Sequence, residues 1–377
     1  MKKTAVFALL GIFLFLVGFV QEKEIPDMTT LRRLYASGDV TQWPKANIDS
    51  TVVPHFEDIG SLPPVSYPDY NLFSTEKAAL GKMLFFDPRL SASKQIACAS
   101  CHDPQLGWGD GKSLSHGHDR KVGKRNAMSL YNMGYFTSFF WDGRAKSLEE
   151  QVDFPLIDSV EMNNPLDIVV QHISEIPGYA PYFEAAFGDG MVNLERIQYA
   201  IATFERGIKS LPSRFDRFVK GDEKALSDQE IWGMHLFRTK ARCINCHNTP
   251  LFSDNLFHND GQALYGSRQE DLGHYHISGK QIDVGAFRTP SLRNITLTGP
   301  WMHHGNFPTL FDVVVYYNLG NPAPIQRYVQ IDSTKVPIPS PLLRKLELSD
   351  DEVHAIISFL GAISSGVQAR VNTPKLP

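Results

Sequence analysis

Two short cysteine and histidine motifs contain the residues best suited to chemistry in this chain. Both have the pattern Cys-x-x-Cys-His, and together they use all four cysteines: Cys98, Cys101 and His102 form the first, and Cys243, Cys246 and His247 form the second. In such a motif the two thiols attach to the vinyl groups of a haem, and the histidine ligates the iron. The motifs therefore predict two covalent c-type haems.

Other uses of a Cys-x-x-Cys pair explain these residues less well. A zinc site built from all four cysteines would leave His102 and His247 without a role. A redox-active dithiol of the thioredoxin type would need a βαβ pattern around it, which the sequence does not show. Haem attachment is the interpretation that uses every residue of both motifs.

Length and composition set the scale of the fold. The chain has 377 residues, a formal net charge of -4 and 42% hydrophobic residues, which is enough for two globular domains that each enclose a cofactor. The slightly acidic balance gives no indication of nucleic-acid binding.

The N-terminus has the features of an export signal. Lys2 and Lys3 precede an apolar stretch from Ala5 to Val20, which is short for a membrane span. We therefore predict a signal peptide or N-terminal anchor over residues 1–20 and a periplasmic protein. No clear cleavage site occurs near Gly18 to Gln21, so removal and retention of the segment both stay open.

An internal repeat follows a proline-containing segment at residues 21–72, which we interpret as a tether that wraps along the surface. Ser74 and Ser227 each precede a predicted helix that contains Gly-x-x-Leu-Phe and leads to a haem motif. Ser349 begins a third predicted helix, which is apolar on one face up to Ile363. In the first half, the matching helical pattern extends from Leu194 to Phe218.

A helix before the haem motif and an amphipathic helix after it is the arrangement of a cytochrome c domain. The predicted fold is therefore mainly α, with two cytochrome c-like domains that each bind one covalent c-type haem. We place the N-terminal domain at residues 73–225 and the C-terminal domain at residues 226–377, with the boundary in the polar stretch from Lys220 to Leu226.

Several longer segments resemble the bacterial di-haem cytochrome c peroxidase family, including its MauG-like branch. The resemblance extends over roughly Phe73 to Ile363 and rests on four stretches in the family's order. These are Leu80-Gly-Lys-Met-Leu-Phe-Phe-Asp-Pro-Arg-Leu-Ser91, Phe140-Trp-Asp-Gly-Arg-Ala145, Val160-Glu-Met-Asn-Asn164 and Phe287-Arg-Thr-Pro-Ser-Leu-Arg-Asn294.

The resemblance implies that the N-terminal haem reacts with hydrogen peroxide. His102 is then the proximal ligand of its iron, and Glu161 matches the distal acid–base residue that moves a proton between the peroxide oxygens. Gln151 matches a second distal residue. His118 matches a histidine that occupies the sixth iron site of the oxidised enzyme, with His116 as the neighbouring alternative.

The second haem is implied to accept and store electrons, with His247 as its proximal ligand. Standard peroxidases of the family have methionine as the distal ligand, whereas the corresponding position here is Tyr317. Tyrosine at this position resembles the MauG branch and predicts a lower reduction potential than methionine would give. Tyr316 and Met302 are the alternative ligands.

Further residues match positions at the junction of the two domains. Trp141 matches a tryptophan that relays electrons between the haems. Asn126, Thr298 and Pro300 match the ligands of a calcium ion, and oxygen donors of this kind suit that hard cation. The residues Arg288, Arg293, His303 and His304 are candidates for binding haem propionates or lining the electron-accepting surface.

The predicted function is that of a di-haem peroxidase. It would reduce hydrogen peroxide to water with two electrons from a small cytochrome c, a cupredoxin or another donor protein. The alternatives are a MauG-like oxidase that acts on a partner protein or a small molecule, and a di-haem electron carrier. Members of the family are often homodimers, and the sequence leaves that property open.

Overall fold

The described part of the chain is mainly helical. The computed structural model describes residues 27–320, 332, 334–366 and 371–377, so the predicted signal segment lies outside the described residues. A single two-stranded antiparallel sheet was found there, in which β1 (Phe257–His258) pairs with β2 (Phe287–Arg288). The α-helices found there are α1 (Met28–Ala36), α2 (Thr75–Phe85), α3 (Leu148–Gln151), α4 (Asp153–Ile157), α5 (Leu166–Ser174), α6 (Ala180–Phe187), α7 (Leu194–Arg206), α8 (Arg214–Phe218), α9 (Asp228–Arg238), α10 (Tyr275–Ser278), α11 (Leu310–Asn318) and α12 (Asp350–Ala362).

The three predicted serine N-caps are confirmed. The Ser74 hydroxyl accepts a hydrogen bond from the backbone N–H of Lys77 at the start of α2. Ser227 and Ser349 begin α9 and α12 with complete capping boxes, in which the carboxylate three residues later accepts from the serine N–H. Because these contacts are local in sequence, the helix starts can be read from residue types alone.

The two halves repeat the same helix crossing. α2 packs against α7 through Gly81, where an added Cβ would lie 1.8 Å from the carbonyl oxygen of Ala200. α9 packs against α12 through Gly233, where a Cβ would lie 1.9 Å from the carbonyl oxygen of Ala355. The glycine of each predicted Gly-x-x-Leu-Phe element therefore lets two helix backbones come into direct contact.

The helix predicted from Leu194 to Phe218 is wrong in its length. α7 ends at Arg206, and α8 begins only at Arg214. Pro212 restricts Leu211 to extended conformations, and the side chain of Ser213 caps α8. The apolar periodicity continues across this break because both helices are buried, but they enter different cores.

Two hydrophobic cores correspond to the two halves. The first contains residues of α2 and α7, and the second contains residues of α9 and α12 together with Phe215 and Phe218 of α8. α8 precedes the predicted boundary at 220–226 yet packs with the second half. Arg125 joins the halves by ion pairs to Asp142 and Asp271, both at 2.6 Å.

The described segment before Phe73 contacts both halves: α1 packs along the second half, and the Asn71 side chain donates to Glu149 of the first half. The Tyr35 hydroxyl of α1 hydrogen-bonds Nδ1 of His235 at 2.9 Å, and Arg32 forms an ion pair with Asp228 at 2.6 Å. The described remainder of the segment is extended or in turns, apart from two short 3₁₀ helices, Val53–His55 and Asp69–Asn71. A search of the described residues found no helix with the length and hydropathy that a membrane crossing needs.

Candidate active site

Both Cys-x-x-Cys-His motifs form the same backbone turn. The segments Cys98–Ser100 and Cys243–Asn245 are short 3₁₀ helices. In each, the histidine N–H donates to the carbonyl oxygen of the first cysteine, at 3.0 Å for His102 and 2.9 Å for His247. None of the four cysteines forms a disulfide. The turn thus holds two thiols and an imidazole in a fixed relation to one another.

Each motif histidine is oriented by a backbone carbonyl. Nδ1 of His102 lies 3.0 Å from the oxygen of Trp108, and Nδ1 of His247 lies 3.0 Å from the oxygen of Phe252. These contacts fix the tautomer in which Nδ1 carries the proton, and leave Nε2 to bind a metal. Burial lowers the pKa of both histidines, which favours the neutral form that ligates iron.

The two motifs lie in separate cavities whose linings fit haems. Cys98, Cys101 and His102 line a cavity of about 1150 Å³, which we call the N-terminal cavity. The second motif lines a smaller, mainly apolar space, the C-terminal cavity, together with Tyr317 and Met302. Burial raises the pKa of Cys101 to about 11 and that of Cys243 to about 12. Such neutral thiols suit thioether attachment better than a zinc thiolate site.

The two predicted distal residues share the N-terminal cavity with His102. Glu161 lies in the turn after α4, and Gln151 ends α3. Desolvation by the surrounding protein raises the pKa of Glu161, and the nearby Asp158 adds to this effect while Arg144 opposes it. A carboxyl with a raised pKa binds a proton more readily, which suits a group that first accepts a proton and then returns it.

The backbone of His118 is bound to the loop that carries Glu161. Its N–H lies 2.9 Å from the oxygen of Val160 and 2.8 Å from that of Glu161. Gly117 allows this approach, since a Cβ there would lie 2.1 Å from the Val160 oxygen. Among the described residues, the buried Nδ1 of His118 has no hydrogen-bond partner, and Nε2 lies 3.4 Å from Asp119.

Gly117, rather than the His118 side chain, lines the N-terminal cavity. His116 is exposed. Ligation of the first iron by His118 therefore stays a prediction, now with a defined connection between the His118 loop and Glu161.

Tyr317 lines the C-terminal cavity from α11, whereas Tyr316 is turned elsewhere. The Tyr316 hydroxyl donates to the carbonyl oxygen of Asp260 at 2.8 Å. Burial raises the pKa of Tyr317 well above its usual value, and Asp260 adds to the effect. Ionisation of this phenol consequently needs a nearby cation such as iron. Of the two predicted alternatives to Tyr317, Met302 lines the same cavity and Tyr316 does not.

Trp141 lies between the two cavities and lines both. Its indole Nε1 donates to the carbonyl oxygen of Asn126 at 3.0 Å. The ring packs edge-on to His303, with 6.3 Å between centroids, and His303 also lines both cavities. Burial lowers the pKa of His303 to about 3, so this second ring between the cavities is neutral.

The three residues predicted to bind calcium line the same cavity. Asn126, Thr298 and Pro300 all line the C-terminal cavity, and the Asn126 side-chain nitrogen donates to the oxygen of Lys112 at 2.8 Å. Among the described residues, the one cluster of histidine, cysteine and acidic groups with metal-binding spacing is Cys246, Asp254 and His258, which adjoins the second haem motif. A calcium ion therefore stays a prediction.

The four candidate propionate ligands have different environments. Arg293 is engaged by Asp216 at 3.0 Å, and His304 pairs with the side chain of Gln262 at 2.9 Å. Arg288 is fully buried, lines the C-terminal cavity and leaves Nη1 without a hydrogen-bond partner. Burial lowers the pKa of Arg288 to about 9. A buried cation of this kind favours an anion nearby.

Sequence reasoning missed two polar residues of these cavities. His258 lies in a polar, glycine-rich loop and was assigned no role from the sequence, but it lines the C-terminal cavity with Nε2 at 2.7 Å from Asp254. Glu205 was overlooked in the apolar pattern of α7, but it lines the N-terminal cavity. Its carboxyl could have been noticed by comparing α7 with the corresponding helix of the second half.

The chain is similar to proteins of a known family. The family described as "Di-haem cytochrome c peroxidase" matches residues 75–224. The chain is 37% identical over 316 residues to methylamine utilization protein MauG of Methylorubrum extorquens, covering 83% of this chain and 85% of that protein.

It is also 34% identical over 348 residues to cytochrome-c peroxidase IdrP1 of Pseudomonas sp. (strain SCT), covering 85% and 89% of the two chains. A solved MauG-like protein associated with microbial copper homeostasis is similar in structure, with a TM-score of 0.72 and 30% identity. That match covers 80% of this chain and 93% of the other.

Proposed function

This chain belongs to the di-haem cytochrome c peroxidase family of oxidoreductases, and on that premise we propose that it reduces hydrogen peroxide to water with electrons from a small redox protein. Each turnover joins one peroxide, two electrons and two protons to give two waters. Electrons enter at the C-terminal cavity and pass to the N-terminal cavity, where peroxide reacts. The donor is a small cytochrome c or a cupredoxin.

The observation that carries the proposal is the shared cavity of Glu161, Gln151 and the first haem motif. A haem attached there would supply the iron that binds peroxide and delivers electrons to it. Glu161 accepts the proton of the inner peroxide oxygen and returns it to the outer oxygen as the bond between them breaks. Its raised pKa matches this double role, and the Gln151 amide orients the peroxide.

Trp141 is the proposed connection for electrons between the cavities. Its indole lines both of them, and its hydrogen bond to Asn126 fixes the ring. Asn126 is also the proposed side-chain ligand of a calcium ion, with the carbonyl oxygens of Thr298 and Pro300 as the other protein ligands. Calcium would thereby hold Asn126 and, through it, the indole in place.

His118 is the proposed gate of the peroxide site. The loop that carries it is bound to the backbone of Val160 and Glu161, so a movement of His118 would also move the loop that carries the catalytic carboxylate. The protein is proposed to work in the periplasm after export through residues 1–20, either released or held by that segment. Assembly as a homodimer is part of the same proposal.

The test is peroxide turnover by the purified di-haem protein with a reduced small cytochrome c as donor. Glu161→Gln keeps the size of the side chain and removes the base, so kcat/KM should fall by about 100-fold or more. Glu195→Gln changes an exposed carboxyl of α7 and should leave turnover unchanged. Unaltered haem absorption in both variants controls for folding. Full activity in Glu161→Gln would contradict the assigned role.

A second candidate function is supported by Tyr317 in the C-terminal cavity. A tyrosine there favours a MauG-like oxidase that withdraws electrons from a partner protein or a small molecule. The identity of the electron donor distinguishes the two functions. Rapid peroxide turnover with a reduced small cytochrome supports the peroxidase, whereas turnover only in the presence of an oxidisable protein or small molecule supports the oxidase.

A further inference from the structure

The repeated helix crossing aligns α7 with α12 residue by residue. Gly81 faces the oxygen of Ala200 and the Cβ of Phe204, and Gly233 faces the same atoms of Ala355 and Phe359. The position after each phenylalanine is therefore equivalent in the two halves. It is Leu360 in α12 and Glu205 in α7.

These equivalent side chains are equally buried, although their chemistry differs. Leu360 is 5% exposed and belongs to the second hydrophobic core. Glu205 is 4% exposed and lines the N-terminal cavity, and its Oε2 has no hydrogen-bond partner among the described residues. Burying a carboxyl without a partner costs free energy that leucine at the same position would not cost. A purely structural role for Glu205 is therefore disfavoured.

The nearest cation does not compensate this carboxyl. Arg206 follows Glu205 directly, but its guanidinium donates to both oxygens of Glu149, at 2.5 Å and 2.8 Å. Burial raises the pKa of Glu205 to about 8, Arg206 opposes the shift in part, and Glu149 adds to it. The protonation state of Glu205 is thus sensitive to any change of charge within its cavity near neutral pH.

The cavity places this carboxyl near the haem attachment. Glu205 and Glu161 both act electrostatically on Cys98, the first thiol of the N-terminal motif. A haem attached at Cys98 would hence lie near two carboxyls, Glu161 and Glu205, which come from different elements. The charged and titratable groups that act on Glu205 from the packed elements are Arg206, Glu149 and Cys98, of which Cys98 becomes an uncharged thioether.

We propose that Glu205 is a proton-binding residue of the N-terminal cavity, which takes up one proton from solvent when the haem there gains one electron. In that step ferric iron becomes ferrous, and the carboxylate becomes a carboxylic acid. Reoxidation reverses both changes. The inference rests on the proposed function, since it requires a haem in this cavity, and it adds a site that couples electron arrival to proton uptake before peroxide binds.

The direction in which the midpoint potential changes with pH follows from the charges in the cavity. Reduction removes one positive charge from the cavity, so the Glu205 carboxylate is less stabilised and its pKa rises. Between the pKa of the oxidised state and that of the reduced state, reduction brings a proton with it. The midpoint potential of the N-terminal haem should therefore fall as pH rises through that interval.

The test is a spectroelectrochemical titration of the holoenzyme across neutral and mildly alkaline pH, with each haem followed separately. Wild type should show a falling midpoint potential at the N-terminal haem. Glu205→Gln and Glu205→Leu, the latter using the residue of the second half, should lose most of that pH dependence. The exposed Glu195→Gln on the same helix should retain it. An unchanged pH dependence in Glu205→Gln would overturn the proposal.

Redox-difference infrared spectroscopy supplies a second readout. Reduction of wild type should produce a protonated carboxyl band that Glu205→Gln lacks and Glu161→Gln keeps. A band that persists in Glu205→Gln would also overturn the assignment. These experiments test the role of Glu205 separately from the proposed function. If wild type shows the Glu205-dependent carboxyl band and pH dependence but no peroxide turnover, only the peroxidase assignment is wrong. If peroxide turnover is present but the Glu205-dependent band and pH dependence are absent, only the role proposed for Glu205 is wrong.

Discussion

The N-terminal and C-terminal cavities are built on the same repeated scaffold, and they differ in the other side chains that line them. In both halves a glycine lets two helices touch, a 3₁₀ turn presents two thiols, and a backbone carbonyl orients the histidine. Glu161, Gln151 and Glu205 line the first cavity, and Tyr317 and Arg288 line the second. The repeat fixes where a haem attaches, and the unshared side chains decide what each site does.

The largest expected effect concerns the buried ion pair of each half. Arg206 pairs with Glu149 in the first half, and Arg293 pairs with Asp216 in the second. Glu149→Gln and Asp216→Asn each leave a buried guanidinium without a counter-charge, which should cost about 3–5 kcal/mol in the free energy of unfolding. Denaturant titration followed separately at the two haems would show which half loses stability.

The same pairs predict an acid dependence. Burial opposes ionisation of Glu149 and Asp216, but their arginines lower the pKa of both carboxyls overall. The stabilisation is therefore complete above the unfolded-state pKa of each carboxyl and is lost as pH falls through the folded-state value. Each variant should be less sensitive to acid than wild type, and an unchanged acid sensitivity would show that the pair does not contribute.

The next effect tests whether the two helix crossings are equivalent. Gly81→Ala and Gly233→Ala each place a methyl group within 2 Å of a backbone oxygen. Either change should destabilise its own half by about 3 kcal/mol and reduce haem incorporation there. Gly361→Ala is the matched control in α12, where an added Cβ meets nothing within 4 Å, and it should stabilise slightly. If Gly81→Ala and Gly233→Ala reduced stability by clearly different amounts, the two helix crossings would not be equivalent.

Replacing Tyr317 should have the smallest effect on stability, but it should change the midpoint potential of the C-terminal haem. Tyr317→Met replaces a hard oxygen donor by a neutral thioether, so the midpoint potential of the C-terminal haem should rise while the N-terminal haem changes little. Tyr316→Phe is the control, because the Tyr316 side chain does not line the cavity and its hydroxyl donates to the carbonyl oxygen of Asp260. A potential that stays constant in Tyr317→Met would favour Met302 as the ligand.

Local features of the sequence were predicted well. The serine caps at 74, 227 and 349 are confirmed, since capping depends on residues within one helical turn. The helix predicted from Leu194 to Phe218 is in fact two, because periodicity alone does not distinguish one long buried helix from two short ones. His258 illustrates a related limit, since the polar residues around it in the sequence do not indicate that it lines a buried cavity.

The sequence by itself determined the two haem motifs, the repeat and the family, because each depends on residue types at short and fixed spacing. Only the tertiary structure decided that Trp141 lines both cavities, that the His118 backbone is bound to the Glu161 loop and that Glu205 is the counterpart of Leu360. These relations join residues far apart in the chain through helix packing. Burial and the loss of water, which set their protonation and reactivity, exist only once the helices have packed.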